Sequence, residues 1–374
     1  MDKYPPIPEQ RRRRYEELWQ HARSIDGMPA DVRDYLLRLK TLGIEQMSSL
    51  NKDYLGAFMA PFSRDLENAD LAIIGAPFEK SAPVNASHKY GPSALRKLSK
   101  LGLSTVSDSN DIPFDWCRVI DYGNVDTYGQ LDLSSEMELL IHHMRRIVVE
   151  HGVTPFVWGG DHSVTYAPIN ALAERYGPLG LIHFDAHYDL VTYADFPYPY
   201  HSGNMFARSF AEGNLDPERM ITMGIRGRMS ALVGGHPQNF GVTTYTADEC
   251  RELGARAMAE KTVSVVGDGP VYLTLDLDCL DPAFNSSSSS VEPFGLTTWF
   301  LWDVIRTVRE SGKVNLVGAD VVEYAPMADP TSKDGYHAVG LSWKIFCWLA
   351  AEVARRNGEK RKTEWPLAMG YASL

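Results

Sequence analysis

Short apolar runs recur along this chain and alternate with longer stretches of helical periodicity. Residues 69–77, 118–123, 154–158, 179–184, 220–225, 271–275 and 314–319 are rich in Val, Ile, Leu and aromatic side chains. Apolar throughout, such runs read as strands buried on both faces. Between them, residues 134–151, 164–176, 247–260, 297–311 and 336–354 carry apolar positions at helical spacing. Pro92 suits an early helix position, where its missing N–H would be unpaired in any case. Strands alternating with helices predict an α/β fold, a three-layer α/β/α arrangement around a mostly parallel sheet.

Residues 1–66 break this rhythm. Met1 to Gln10 is proline-rich, and Arg11-Arg12-Arg13-Arg14 opens a helical stretch bearing Tyr15, Leu18 and Trp19. Residues 31–39 form a second amphipathic candidate, with Tyr35, Leu36 and Leu39 on its apolar side. We read residues 1–66 as an extension that packs between subunits and residues 67–374 as the catalytic domain.

Composition narrows the class. The chain has 374 residues, 44% of them hydrophobic, enough for a large core. Its formal net charge of −11, without a long basic stripe, argues against nucleic-acid binding. The arginine run therefore reads as a solvated face or a subunit contact. Cys117, Cys250, Cys279 and Cys347 are scattered, which disfavours a disulfide framework. No run is apolar and long enough to span a bilayer, and the N-terminus has no secretory signal pattern. A cytoplasmic enzyme with no membrane association is the expectation.

The chemistry is concentrated just beyond three of the strands. Gly159-Gly160-Asp161-His162-Ser163 follows one, His183-Phe184-Asp185-Ala186-His187-Tyr188-Asp189 ends a second, and Asp276-Leu277-Asp278-Cys279-Leu280-Asp281 follows a third. Ligands gather at the carboxyl ends of strands in such sheets. Imidazole with carboxylate and no thiolate pattern suits Mn²⁺, Co²⁺ or Ni²⁺, and six such donors suit two ions better than one. Alternate residues in Asp185-x-His187-x-Asp189, and in Asp276-x-Asp278, share a direction if the backbone stays extended. Asp161 and Asp281 read either as carboxylates orienting a ligand or as turn residues. His142 and His143 read as surface or packing residues of their helix.

Together the three motifs resemble the signatures of the ureohydrolase family, which includes arginases, agmatinases and guanidinobutyrases. The resemblance runs from about Asp70 to about Ala350. It implies cleavage of a guanidino C–N bond to urea and an amine or ammonia, with two divalent ions, Mn²⁺ or Ni²⁺. It allots His162, Asp185, Asp189 and Asp276 to one ion and His187, Asp185, Asp276 and Asp278 to the other. By the same resemblance Glu323, in Gly318-Ala319-Asp320-Val321-Val322-Glu323, grips the substrate guanidinium, as a carboxylate can. His201, in His201-Ser202-Gly203-Asn204, corresponds to the family's proton-shuttling histidine, although the family usually has His-Gly there. The family is usually trimeric or hexameric, so a homo-oligomer is expected, and a hetero-oligomer is an alternative. Ser81, Asn85 and His88 lie in a loop bordering the site mouth and read either as substrate contacts or as plain surface.

The chain departs from the family after its third motif. Where a Gly-Thr-Gly-Thr-Pro-like segment is usual, it has Asn285, the run Ser286 to Ser290, then Val291-Glu292-Pro293-Phe294-Gly295 and the aromatics Trp299 and Trp302. The arginase pattern for holding an α-amino acid is missing after Asp189. Ser288 and Trp299 are the candidate contacts on the far side of the substrate, an indole face stacking well on a guanidinium. Trp299 and Trp302 read equally as core residues of the helix there. The best reading is a small guanidine or biguanide substrate such as guanidine, dimethylguanidine or metformin. An agmatinase or 4-guanidinobutyrase is the alternative within the family. A scaffolding subunit and an amidohydrolase-like reaction are the alternatives outside it.

Overall fold

The computed structural model describes residues 56–358 apart from 61, 68, 80–86, 100–110, 112, 126–131, 193–198 and 228–235, together with 9, 10 and 13. Apart from Arg13, the arm helices expected before residue 40 lie outside the described residues, as do Ser81 and Asn85. The strands are β1 (Leu71–Gly75), β2 (Val119–Asn124), β3 (Thr154–Trp158), β4 (Leu179–Phe184), β5 (Leu215–Ile225), β6 (Thr243–Thr246), β7 (Pro270–Asp276) and β8 (Asn315–Val322). They form one sheet in the order β2-β1-β3-β8-β7-β4-β5-β6, and every neighbouring pair is parallel. The α/β expectation holds. The strand missing from the sequence reading is β6, whose Thr-Thr-Tyr-Thr is half-exposed at the sheet edge and carries no apolar run.

The helices are α1 (Gly91–Ser99), α2 (Leu133–Arg145), α3 (Tyr166–Tyr176), α4 (Met205–Ala211), α5 (Ala247–Val266), α6 (Thr298–Ser311) and α7 (Lys333–Arg356). Side chains alternate across each strand, so neighbours enter different cores. Ile73, Phe156, Ile182 and Leu273 pack with residues of α1, α5, α6 and α7. Ile74, Val157, Leu181 and Tyr272 pack with residues of α2, α3 and α4. This is the three-layer arrangement. Local signals agree with it: Thr246 and Glu249 form a reciprocal capping box on α5, and Thr297 caps α6, which ends at the left-handed Gly312.

Residues 56–60, assigned above to the extension, belong to the core. Ala57, Phe58 and Ala60 are buried, and the Phe58 ring meets Trp158, Trp343 and Phe346. The buried Asp121 carboxylate ties the segment down, accepting from the Ala57 amide at 2.6 Å and from Arg96 Nε at 2.6 Å. Among the described residues, no helix is long and apolar enough to cross a membrane. All four cysteines are buried.

Candidate active site

Four adjacent strands in the middle of the sheet, β3, β8, β7 and β4, end side by side. Neighbouring strands stand about 5 Å apart, so residues just past their ends fall within contact of one another. β3 delivers His162, β8 delivers Glu323, β7 delivers Asp276 and Asp278, and β4 delivers Asp185, His187 and Asp189.

The β3 turn is built by its own sequence. A Cβ on Gly160 would overlap the Phe78 carbonyl, so only glycine permits this close approach. Asp161 then caps the short helix His162–Thr165, accepting from the Ser163 amide at 3.1 Å and from the Ser163 hydroxyl. It is thus a turn residue. Asp281 is one too, accepting from the amides of Ala283 at 3.0 Å and Gly295 at 3.1 Å.

His162 is buried with Nε2 2.9 Å from Thr274 Oγ1. Its Nδ1 faces three carboxylates, with Asp185 Oδ2 at 3.1 Å, Asp189 Oδ2 at 3.0 Å and Asp276 Oδ2 at 3.1 Å. That buried nitrogen has no aligned hydrogen bond. His187 Nδ1 lies 3.0 Å from Asp278 Oδ2 and 3.4 Å from Asp185 Oδ1. The donors therefore fall into two groups, and Asp185 turns one oxygen to each. The alternate-residue argument does not explain this convergence. Asp276 caps the short helix Leu277–Cys279 and accepts from the Asp278 amide at 2.8 Å, so a tight turn and not an extended strand brings the pair together. Asp189 adopts φ +51°, so the chain leaves β4 by a sharp bend.

The electrostatics suit a cation. Burial, then the charges of Asp278 and Asp185, pushes the Asp276 carboxyl well above its usual range. Burial and the Asp185 charge push Asp189 up to about 7, and the same two causes raise Asp278. Burial also works against the Asp185 charge, but the neighbouring histidines more than offset it and hold that group well below the usual range. Carboxylates that disfavour each other's charge around an orphaned imidazole nitrogen form a donor set that a divalent cation relieves. Nitrogen and oxygen donors without thiolate fit Mn²⁺ or Ni²⁺.

Glu323 stands beside this cluster, buried, at φ +64°. Such a backbone costs about 1–3 kcal/mol for a non-glycine residue and persists where the surroundings dictate it. Glu323 Oε1 accepts from the His162 amide at 2.9 Å and Oε2 accepts from the Ser289 hydroxyl at 2.7 Å. The serine run therefore reaches the site, through Ser289. Ser288 is buried with its hydroxyl unpartnered.

The two indoles of the sequence expectation lie in different surroundings. Trp299 sits in the first turn of α6 at 73% exposure. Trp302 is half-buried against the core, with Lys344 Nζ 4.2 Å from its ring.

His201 donates its amide N–H to Asn204 Oδ1 at 2.8 Å, and its Nδ1 accepts from the Gly203 amide at 2.9 Å. The neutral ring therefore carries its proton on Nε2. Burial lowers its pKa, and the charge of Asp161 opposes that shift without cancelling it.

Three contributors escaped the sequence reading. His183 places Nε2 2.8 Å from Asp185 Oδ2 and Nδ1 3.1 Å from Thr222 Oγ1, orienting the shared carboxylate. Glu292 lies 3.9 Å from His187 Nε2. Arg226, just past β5, donates to the carbonyls of Gly224, Asp278, Cys279, Leu280, Glu292 and Pro293. One guanidinium thus ties the Asp278 turn to the loop before α6. The segment Gly224-Ile225-Arg226-Gly227 at a strand end was the available signal. Replacing Arg226 by Ala strands several buried carbonyls, so we expect a loss of about 2–4 kcal/mol in stability, read as a lower denaturant midpoint. An unchanged midpoint would show that solvent replaces the clamp.

Comparison with known proteins agrees with this geometry. The family model described as "Arginase family" matches residues 69–347. An agmatinase of Chromobacterium violaceum is 34% identical over 309 residues, 81% of this chain and 91% of that protein. A guanidinopropionase of Pseudomonas aeruginosa is 33% identical over 296 residues, 79% of this chain and 91% of that protein. The crystal structure of a hypothetical agmatinase from Burkholderia thailandensis superposes with a TM-score of 0.73 at 32% identity, covering 81% of this chain and 92% of that one. The chain belongs to the arginase family, the ureohydrolases. It is a hydrolase of guanidino C–N bonds and falls among the agmatinase-like members.

Proposed function

We propose that the protein is a binuclear-metal hydrolase that converts a compact guanidine or biguanide, such as guanidine, dimethylguanidine or metformin, into urea or a urea-like product and an amine or ammonia. One observation carries this reading: Glu323, a buried carboxylate fit for a guanidinium, is hydrogen-bonded to the backbone of His162, a residue of the metal cluster. Substrate cation and metal donors are thereby held in fixed relation. His162, Asp185, Asp189 and Asp276 would hold one ion, and His187, Asp185, Asp276 and Asp278 the other. When bound, two such ions supply an activated water and stabilise charge developing at the guanidino carbon. Glu323 orients the guanidinium, and the surrounding buried wall excludes bulk water. His201 Nε2 hydrogen-bonds at the leaving nitrogen and helps move the proton with which the amine departs.

The compact-substrate reading is supported by the serine run, whose buried Ser289 donates its hydroxyl to Glu323 Oε2, and not by Trp299. The agmatinase and guanidinopropionase relatives support a second reading, in which the substrate carries an aliphatic tail. Release of urea or guanylurea, together with the amine or ammonia, should be measured over guanidine, dimethylguanidine, metformin, agmatine and 4-guanidinobutyrate, with Mn²⁺ and with Ni²⁺. The highest kcat/KM is expected for a compact compound. A clear preference for agmatine or 4-guanidinobutyrate would replace the first reading by the second.

For His201→Ala we expect turnover to fall by about a hundredfold, within the range of general acid–base contributions, while bound metal stays unchanged. Parallel loss of metal and activity would move His201 into a structural role.

A further inference from the structure

The turn before α1 brings a second imidazole to Glu323. His88 opens the short helix His88–Tyr90 and is 0% exposed, with Nε2 3.1 Å from Glu323 Oε2. The contact is close but bent, and neither ring nitrogen has an aligned hydrogen bond. The turn that carries the ring packs closely against its neighbours. Ser87 Oγ accepts from the Met327 amide at 3.3 Å, and a Cβ on Gly91 would come within 2.8 Å of the Tyr324 carbonyl. The turn is therefore pressed against the segment that follows β8.

A carboxylate has about four accepting positions. On Glu323, Oε1 takes the His162 amide, while Oε2 takes the Ser289 hydroxyl and abuts His88. Oε2 is thus committed on both sides, and Oε1 keeps room for one more donor. Burial disfavours a charge on His88, but the carboxylates of Glu323, Asp161 and Glu79 together more than offset it. A carboxylate that must meet a small planar cation at one fixed angle needs such a support, because a free χ rotation would spoil the alignment.

We propose that His88 is a positioning residue of the guanidino site, holding Oε2 of Glu323 so that the substrate cation meets the carboxylate through Oε1. This rests on the assignment of Glu323 to the guanidinium. Two variants of similar volume separate positioning from space-filling. His88→Gln keeps an N–H near the place of Nε2, and His88→Leu does not. With guanidine and agmatine as substrates, His88→Leu is expected to raise KM roughly tenfold or more, the effect of removing the polar group that abuts a buried carboxylate. Its kcat and metal content should stay within about threefold of the wild type, and His88→Gln should restore KM to a similar margin. Gln and Leu variants that behave alike, or a KM that neither changes, would overturn the proposal. Glu323→Gln, run alongside, separates the two ideas. If it destroys activity while both His88 variants keep a normal KM, only the role of His88 falls. If it leaves kcat/KM unchanged, the assignment of Glu323 falls as well.

Discussion

Replacing Asp185 by Ala is expected to remove both metal ions and to lower urea release by at least about a thousandfold, more than the ten- to hundredfold that outer partners of a metal site cost. The physical reason is the division of its oxygens. Oδ2 lies 3.1 Å from His162 Nδ1, and Oδ1 lies 3.4 Å from His187 Nδ1. Each histidine heads its own set of carboxylates, and Asp185 lies close to both, at 3.1 Å and 3.4 Å. The single-sided positions supply the comparison. Asp189 meets the His162 group and Asp278 meets the His187 group. Asp189→Ala and Asp278→Ala should each preferentially empty one position. Elemental analysis of the three variants checks this. An Asp185→Ala protein that keeps one tightly held ion would refute the shared-ligand assignment.

Glu323→Gln should act on the other half of the site. The amide oxygen can still accept from the His162 N–H, and the side chain keeps its volume, so metal content and folding should be preserved. What is lost is the negative charge opposite the guanidinium. Leaving one partner of a buried charge pair without the other costs about 2–5 kcal/mol, roughly a thirtyfold to several-thousandfold loss in kcat/KM. Steady-state kinetics combined with metal analysis tests this. If metal and activity fell together, Glu323 would be serving the metal cluster through His162 and not the substrate.

Much of the architecture was legible because parallel strands buried on both faces are apolar without interruption. Runs such as residues 154–158 and 271–275 stood out, and the chemistry just past them could be placed at one edge of a sheet. The strand β6 was invisible because its four polar or aromatic residues lie half-exposed at the edge, where burial imposes no pattern. The helix α4 has only seven residues, too few to set up a helical period. The six candidate donor positions were read from three motifs, but the geometry that brings them together was not. Asp276 and Asp278 converge through a capped turn and Asp189 through a left-handed residue, both of which depend on dihedral angles that spacing does not encode.

The residues missed share a different cause. His183, Arg226 and the pairing of His88 with Glu323 act between segments brought together only by the strand order. Arg226 and Asp278 are far apart in sequence, yet β5, β4 and β7 are neighbours in the sheet. The placement of the indole was hidden for a related reason. Trp299 follows the serine run in sequence, but the first turn of α6 carries it to the surface, and Ser289 is the residue of that run that reaches Glu323.

Stepwise metal reconstitution tests the central claim most directly. Metal-stripped protein should be titrated with Mn²⁺ or Ni²⁺ in the presence of the best guanidino substrate, with bound metal and urea release followed together. The expected result is little urea at one ion per chain and full turnover only when two are bound. Full turnover at one ion per chain would contradict a binuclear centre built on Asp185.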